Sequence, residues 1–113
     1  MHELSIALSI VELAEEEAKK ADATSISKIE VEIGTMAGIE TEALLFAWDA
    51  AIQGTMAGQA ELVIHSIEAE AHCMECGKDF HAEHYFVQCP NCDSYRYQIT
   101  KGKELRISSL IVD

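Results

Sequence analysis

The stretch Cys73-Met74-Glu75-Cys76-Gly77, answered by Cys89-Pro90-Asn91-Cys92, decides how the rest of the chain reads. Twelve residues separate the two pairs, and these are the only four cysteines in the sequence. One Cys-x-x-Cys is ambiguous between redox and metal chemistry. Two of them, with a short span between and no thiol left over, read as a four-thiolate metal site. Each pair can curl into a tight turn that aims two sulfurs at one point, and two facing turns make a tetrahedron. Gly77 supplies permissive backbone for the first turn and Pro90 stiffens the second. Zinc is the default metal, having no redox chemistry and suiting tetrahedral sulfur. Four thiolates leave no position for water or substrate, so an ion at Cys73, Cys76, Cys89 and Cys92 is expected to hold structure. Function has to be sought elsewhere in the chain.

At 113 residues the chain is long enough for one domain, or a small domain carrying a smaller module. The formal net charge of -12 argues against nucleic acid, which is bound mainly by Lys and Arg on phosphates. The balance is no better near the cysteines, where Lys78 and Arg96 face Glu75, Asp79, Glu83 and Asp93. No apolar run approaches membrane-spanning length, and the first residues lack a signal-peptide layout. The expected location is the cytoplasm, where thiols stay reduced and available to metal.

Working outward, Leu4 to Lys20 reads as a helix with Leu4, Ala7, Leu8, Val11, Ala14 and Ala18 on one stripe, widened by Ile6, Ile10 and Leu13. Glu12, Glu15, Glu16 and Glu17 read as a solvated face. Ile29, Val31 and Ile33 alternate with Lys28, Glu30 and Glu32 as a half-buried strand. A second helix is predicted over Thr41 to Gln53, with Leu44, Ala47, Trp48 and Ala51 inward and Gly54 as its stop. A second strand is predicted from Glu61 to Glu70, with poor alternation, and a third from Leu105 to Val112. The fold expected is α+β: a small three-stranded sheet with two helices, plus an inserted four-cysteine, zinc-ribbon-like module. The expected domains are 1–71 with 99–113, and the module 72–98 between strands.

A second candidate site lies at Met1-His2-Glu3. The α-amine of Met1, the backbone nitrogen of His2 and its imidazole Nδ1 can close two fused chelate rings on one ion. Planar nitrogen donors of this kind suit Ni(II) or Cu(II). The Glu3 amide can complete the plane, or its carboxylate can bind from outside. The amine has a reference pKa near ~8 and must lose its proton, so such binding weakens in acid. The competing reading is a solvated helix start, with Glu3 favoured by the helix dipole. His65 reads as a half-buried strand residue, and His72, His81 and His84 as exposed polar positions. No glycine-rich phosphate loop and no Ser/His/Asp ordering stands out, so no enzymatic activity is expected.

Taken together, Met1-His2-Glu3, the helix directly behind it, the Glu30-Val31-Glu32-Ile33-Gly34 strand, the paired Cys-x-x-Cys insert and the short closing strand resemble the HypA/HybF family of nickel metallochaperones for [NiFe]-hydrogenase maturation. The resemblance covers the whole chain. It implies Ni(II) bound by Met1, His2 and Glu3, and structural Zn(II) bound by Cys73, Cys76, Cys89 and Cys92. It also implies delivery of nickel to the hydrogenase large-subunit precursor, together with the nickel-binding GTPase HypB. In some members the same protein also serves urease maturation. Glu40, at the start of the second helix, is a further acidic group that would approach the nickel site. Two rival readings stand beside this one. A rubredoxin-like electron carrier would hold iron and be red, and a zinc-ribbon protein-protein adaptor would bind no nickel.

Overall fold

The computed structural model describes residues 2–113, so the expectation for Met1 lies outside the described residues. The described chain forms α1 (Glu3–Lys20), β1 (Ile26–Gly34), α2 (Thr41–Ala51), β2 (Glu61–Ile67), β3 (Glu70–Cys73), β4 (Asp79–His81), β5 (Tyr97–Lys101) and β6 (Leu105–Val112). The strands make two three-stranded sheets, ordered β2-β1-β6 and β4-β3-β5. The α+β class with two helices and a small sheet is as expected from the sequence. Among the described helices none is long and apolar enough to cross a membrane. Two compact units result: one from residues 1–32, 39–65 and 106–113, the other from 33–38 and 66–105.

In the first unit, α1 buries Ile6, Ala7, Ile10, Val11, Ala14 and Ala18, while α2 buries Leu44, Trp48 and Ala51. Ala7, Ala14 and Ala18 are 0% exposed, which lets neighbours approach α1 closely along that line. The close approach corrects part of the sequence reading. With 100° between successive residues, Leu4 and Leu8 fall past one margin of the buried arc and Leu13 past the other. These three leucines are 46%, 49% and 54% exposed. The helices lie side by side and run in the same sense. The Glu3 carboxylate meets the backbone at Glu40, where α2 begins, and the Glu15 carboxylate accepts from Met56 N–H (3.0 Å), beyond its end. Glu15 is therefore more than a solvated charge: it satisfies an amide that the turn after α2 leaves open. Helix α2 ends at Ala51, two residues sooner than expected. On β1, Ile29 and Val31 are fully buried, as their alternation requires. Ser25 and Asp113 exchange backbone hydrogen bonds while Glu32 meets Arg106, so β1 and β6 are antiparallel.

The second unit corrects the other strand. The run from Glu61 to Glu70 is two strands, broken at Glu68-Ala69, with β2 in one sheet and β3 in the other. Its poor alternation has this cause, since a chain that changes sheets also changes which face is inside. Strand β3 is central. It pairs antiparallel with β4 (Ala71 opposite Phe80) and with β5 (Ala71 opposite Ile99). The core here is small: Met36, Ala69, Ala71 and Ala82, with Phe80, Val87, Tyr97 and Ile99 packed against it. Phe80 and Tyr97 meet edge-on, ring centres 5.8 Å apart. Three alanines and one methionine bury too little to hold a sheet of this size without another constraint. The backbone also crosses itself tightly. A Cβ on Gly34 would lie 2.0 Å from the Gly102 carbonyl carbon, and one on Gly102 (φ +112°) would lie 2.6 Å from Ala69 Cα.

Candidate metal centres

Two turns of the same construction bring the cysteines together. In the first, Cys73 N–H donates to Lys78 O (2.9 Å) and Gly77 N–H donates to Cys73 O (3.0 Å). In the second, Cys89 N–H donates to Ser94 O (2.9 Å) and Asp93 N–H donates to Cys89 O (2.8 Å). Each turn needs a left-handed residue four places after its first cysteine, and Gly77 (φ 75°) and Asp93 (φ 61°) provide it. Lys78 Nζ on Asn91 Oδ1 (3.4 Å) links the turns. Arg96, paired with Glu75 at 2.7 Å, ties β5's approach to the first turn.

The result is a cluster in which all four sulfurs lie within 4.8 Å of one another. Cys73 and Cys92 Sγ are 3.5 Å apart, and Cys76 and Cys89 Sγ are 3.6 Å apart. A tetrahedron with metal–sulfur bonds of about 2.3 Å has edges of about 3.8 Å, so the donor set fits one thiophilic ion without rebuilding. Cys73 and Cys89 are buried, and Cys92 lies at the surface.

The thiols are electrostatically unequal. The backbone N–H of Lys78 and the side chain of Asn91 bring Cys76 down to about 6. Cys73 is lowered chiefly by the backbone N–H of Cys76. At Cys92 the Ser94 N–H favours the thiolate, but burial and the sulfurs of Cys73, Cys76 and Cys89 outweigh it, pushing the thiol up to about 12. Backbone dipoles thus prepare part of the cluster for negative charge. A cation is what allows all four sulfurs to carry it together.

At the other candidate site, His2 is the extended residue before α1 (φ -82°, ψ 131°), and its carbonyl accepts from Ile6 N–H at 3.2 Å. Its ring is exposed. Glu3 opens the helix, where backbone N–H groups have no partner within the helix. Its carboxylate accepts from Glu40 N–H at 3.4 Å. Glu3 and Glu40 are thus brought together by backbone, a contact the sequence reading approached only through Glu40's acidity.

Three of the remaining histidines, His65, His72 and His81, are engaged with carboxylates. His72 Nδ1 meets Asp79 (2.7 Å) and His65 Nε2 meets Glu30 (2.8 Å), while His81 Nε2 lies 3.8 Å from Glu68. The carboxyl of Glu30 is lowered, principally by its hydrogen bond from His65. Trp48 is core, 5% exposed.

Fold and site together define an α+β metal-binding protein with a preorganised four-thiolate centre and an exposed histidine ahead of its first helix. The family described as "Hydrogenase/urease nickel incorporation, metallochaperone, hypA" matches residues 1–112. The chain belongs to this HypA family, as its resemblance suggested. It is 45% identical over 113 residues to the hydrogenase maturation factor HypA of Chlorobium luteolum, covering 100% of this chain and 97% of that one. With HypA of Parabacteroides distasonis it shares 46% over 112 residues, covering 99% and 97%. The solution structure of the Ni metallochaperone HypA from Helicobacter pylori superimposes with a TM-score of 0.73 at 30% identity, covering 99% and 97%.

Proposed function

We propose that this protein binds Ni(II) through Met1, His2 and Glu3 and delivers it to the large-subunit precursor of a [NiFe]-hydrogenase. HypB acts beside it as GTPase partner, and urease maturation proteins are a second potential recipient. Zn(II) at Cys73, Cys76, Cys89 and Cys92 is structural. In this reading residues 1–71 with 99–113 carry nickel and 72–98 carry zinc. The protein works in the cytoplasm by binding and transfer, without catalysis and without nucleic-acid or membrane partners.

The observation that carries the proposal is the end-to-end family match over residues 1–112. Local chemistry agrees with it. An amide at the start of a helix breaks no helical hydrogen bond when it loses its proton to a metal. Two such amidates neutralise a divalent ion, removing the penalty of a cation at the positive end of a helix dipole. The Glu3 carboxylate, resting on Glu40 N–H, adds counter-charge nearby. An exposed chelate can be dismantled one donor at a time by a recipient's ligands, which is what hand-over requires.

The test is a Ni(II) titration of untagged, zinc-loaded protein beginning at Met1, beside His2→Ala and a one-residue N-terminal extension. Stoichiometric binding by the native chain, lost in both variants with zinc retained, is the expected result. Equal binding by all three would remove the terminal site and leave the zinc-ribbon adaptor as the better reading.

A further inference from the structure

We infer that Cys92 is a peroxide-reactive residue, and that its oxidation closes a disulfide with Cys73 and releases the metal. The inference rests on the reading of the four cysteines as a zinc site. Burial separates the four. Cys73 and Cys89 are 0% exposed, Cys76 is half-buried and Cys92 is exposed. Cys76 is further screened, because the Lys78 N–H and the Asn91 side chain both direct hydrogen bonds at its sulfur. Asn91 is held in turn by Lys78 Nζ on its Oδ1 (3.4 Å). Cys92 accepts from one backbone N–H, that of Ser94. Donors on a sulfur draw off electron density and make it a poorer nucleophile. An oxidant arriving from solvent therefore meets Cys92 first and finds it the less encumbered of the two accessible sulfurs.

The structure also selects the partner. Cys73 Sγ lies 3.5 Å from Cys92 Sγ, and Cys76 Sγ lies 3.6 Å from Cys89 Sγ. Each close pair joins one turn to the other. Closing Cys92 onto Cys89 would instead strain the second turn, whose shape is set by Cys89 N–H on Ser94 O and Asp93 N–H on Cys89 O. With a cation among the sulfurs, Cys92 and Cys73 are both thiolates. The Cys92 thiolate attacks one oxygen of hydrogen peroxide; an S–O bond forms, the O–O bond breaks and hydroxide leaves. The Cys73 thiolate then attacks Cys92 Sγ; an S–S bond forms, the S–O bond breaks and a second hydroxide leaves. Two thiolates have given up two electrons, and one peroxide has become two hydroxides, which solvent protonates to water. Cys76 and Cys89 remain, two ligands where a closed zinc site needs four. The new bond ties the end of β3 to the second turn, so the sulfurs stay together for reduction and reloading.

The test treats zinc-loaded, full-length protein with up to one equivalent of hydrogen peroxide. A chromophoric chelator reads released zinc, and peptide mapping after alkylation of free thiols reads the disulfide. Dimedone in a parallel sample traps any sulfenic acid. The expected result is a first disulfide between Cys73 and Cys92 within one chain, one zinc released per disulfide, a dimedone adduct at Cys92, and recovery of zinc binding after a dithiol. Cys92→His keeps four ligands, since zinc accepts histidine beside three cysteines, and should release zinc at least tenfold more slowly. Met74→Leu removes an exposed thioether beside the cluster (55% exposed) and should release zinc as wild type does. A first disulfide inside either Cys-x-x-Cys pair, a dimedone adduct mainly at another cysteine, or release that follows Met74 oxidation overturns the inference and leaves the zinc site standing. The wild-type disulfide map decides the matter if Cys92→His fails to hold zinc. Wild type that holds no zinc overturns the zinc reading, and this inference with it.

Discussion

Asp93 does for the second cysteine turn what Gly77 does for the first: each is left-handed (φ 61° and 75°) and each gives its N–H to the carbonyl of the cysteine four residues earlier. Asp is among the few non-glycine residues that visit this region readily. Asp93→Gly should therefore leave zinc affinity within a few tenths of a kcal/mol of wild type, since glycine has no Cβ to strain there. Asp93→Val and Gly77→Val should each weaken it by about 1–2 kcal/mol, the order of the left-handed penalty for a side chain. Competition with a chromophoric zinc chelator measures all three.

Zinc uptake should carry a defined acid dependence. Cys92, pushed up to about 12, is a protonated thiol at neutral pH, so metal binding must displace its proton. Cys76, brought down to about 6, is already a thiolate above that value and gains a proton below it. Affinity should fall as pH falls, and the slope of log affinity against pH should steepen by about one below pH 6, where one more proton competes with metal. Chelator competition in buffers from neutral to mildly acidic pH gives the slope.

Removal of the metal should loosen one unit and spare the other. The Met36–Ala69–Ala71–Ala82 core is small, whereas the helical unit buries Leu44, Trp48, Ile29 and Val31. After chelation, amides of β3, β4 and β5 should lose most of their protection, and those of α1 and β1 should keep theirs. Hydrogen exchange with and without chelator tests this, and equal loss in both units would refute it.

The Glu30 carboxyl offers a surface test. Its value is lowered mainly by His65, so its contribution to stability is present above the ordinary carboxylate range and is lost as pH falls through the folded value. In His65→Ala, Glu30 should titrate closer to an ordinary glutamate. Carboxyl-carbon NMR titration reads the shift directly.

Glu15→Ala should cost about 1 kcal/mol, the usual value of a capping acceptor, and Glu15→Gln, which keeps an acceptor oxygen, should cost less. Thermal unfolding separates the two, because both remove the charge and only one removes the bond to Met56 N–H.

Much of this architecture is legible in the sequence because it depends on local rules. The alternation at Ile29, Val31 and Ile33, the period of α1, and the cysteine spacing each report a single element or turn. What escaped depends on residues meeting across long separations. Leu4, Leu8 and Leu13 have the periodicity of core residues, and only the alanine-lined approach to α1 decides that they stay outside. At the break at Glu68-Ala69 the chain meets Gly102, some thirty residues later, so closely that a Cβ on Gly102 would lie 2.6 Å from Ala69 Cα. The equivalence of Asp93 to Gly77 was within reach, since both stand four places after the first cysteine of a pair. The bond from Glu40 N–H to Glu3 is carried by backbone and leaves no trace in residue type.

Because Met36 completes the core beneath β3, the cysteine-bearing stretch is not a cassette that can be lifted out at 66–105 and expected to fold. A peptide of those residues would leave Ala69, Ala71 and Ala82 facing water and the Tyr85 hydroxyl without the Met36 carbonyl it donates to. The cysteine-bearing unit draws residues 33–38 from far upstream in the chain, so it cannot be transplanted or shortened without them.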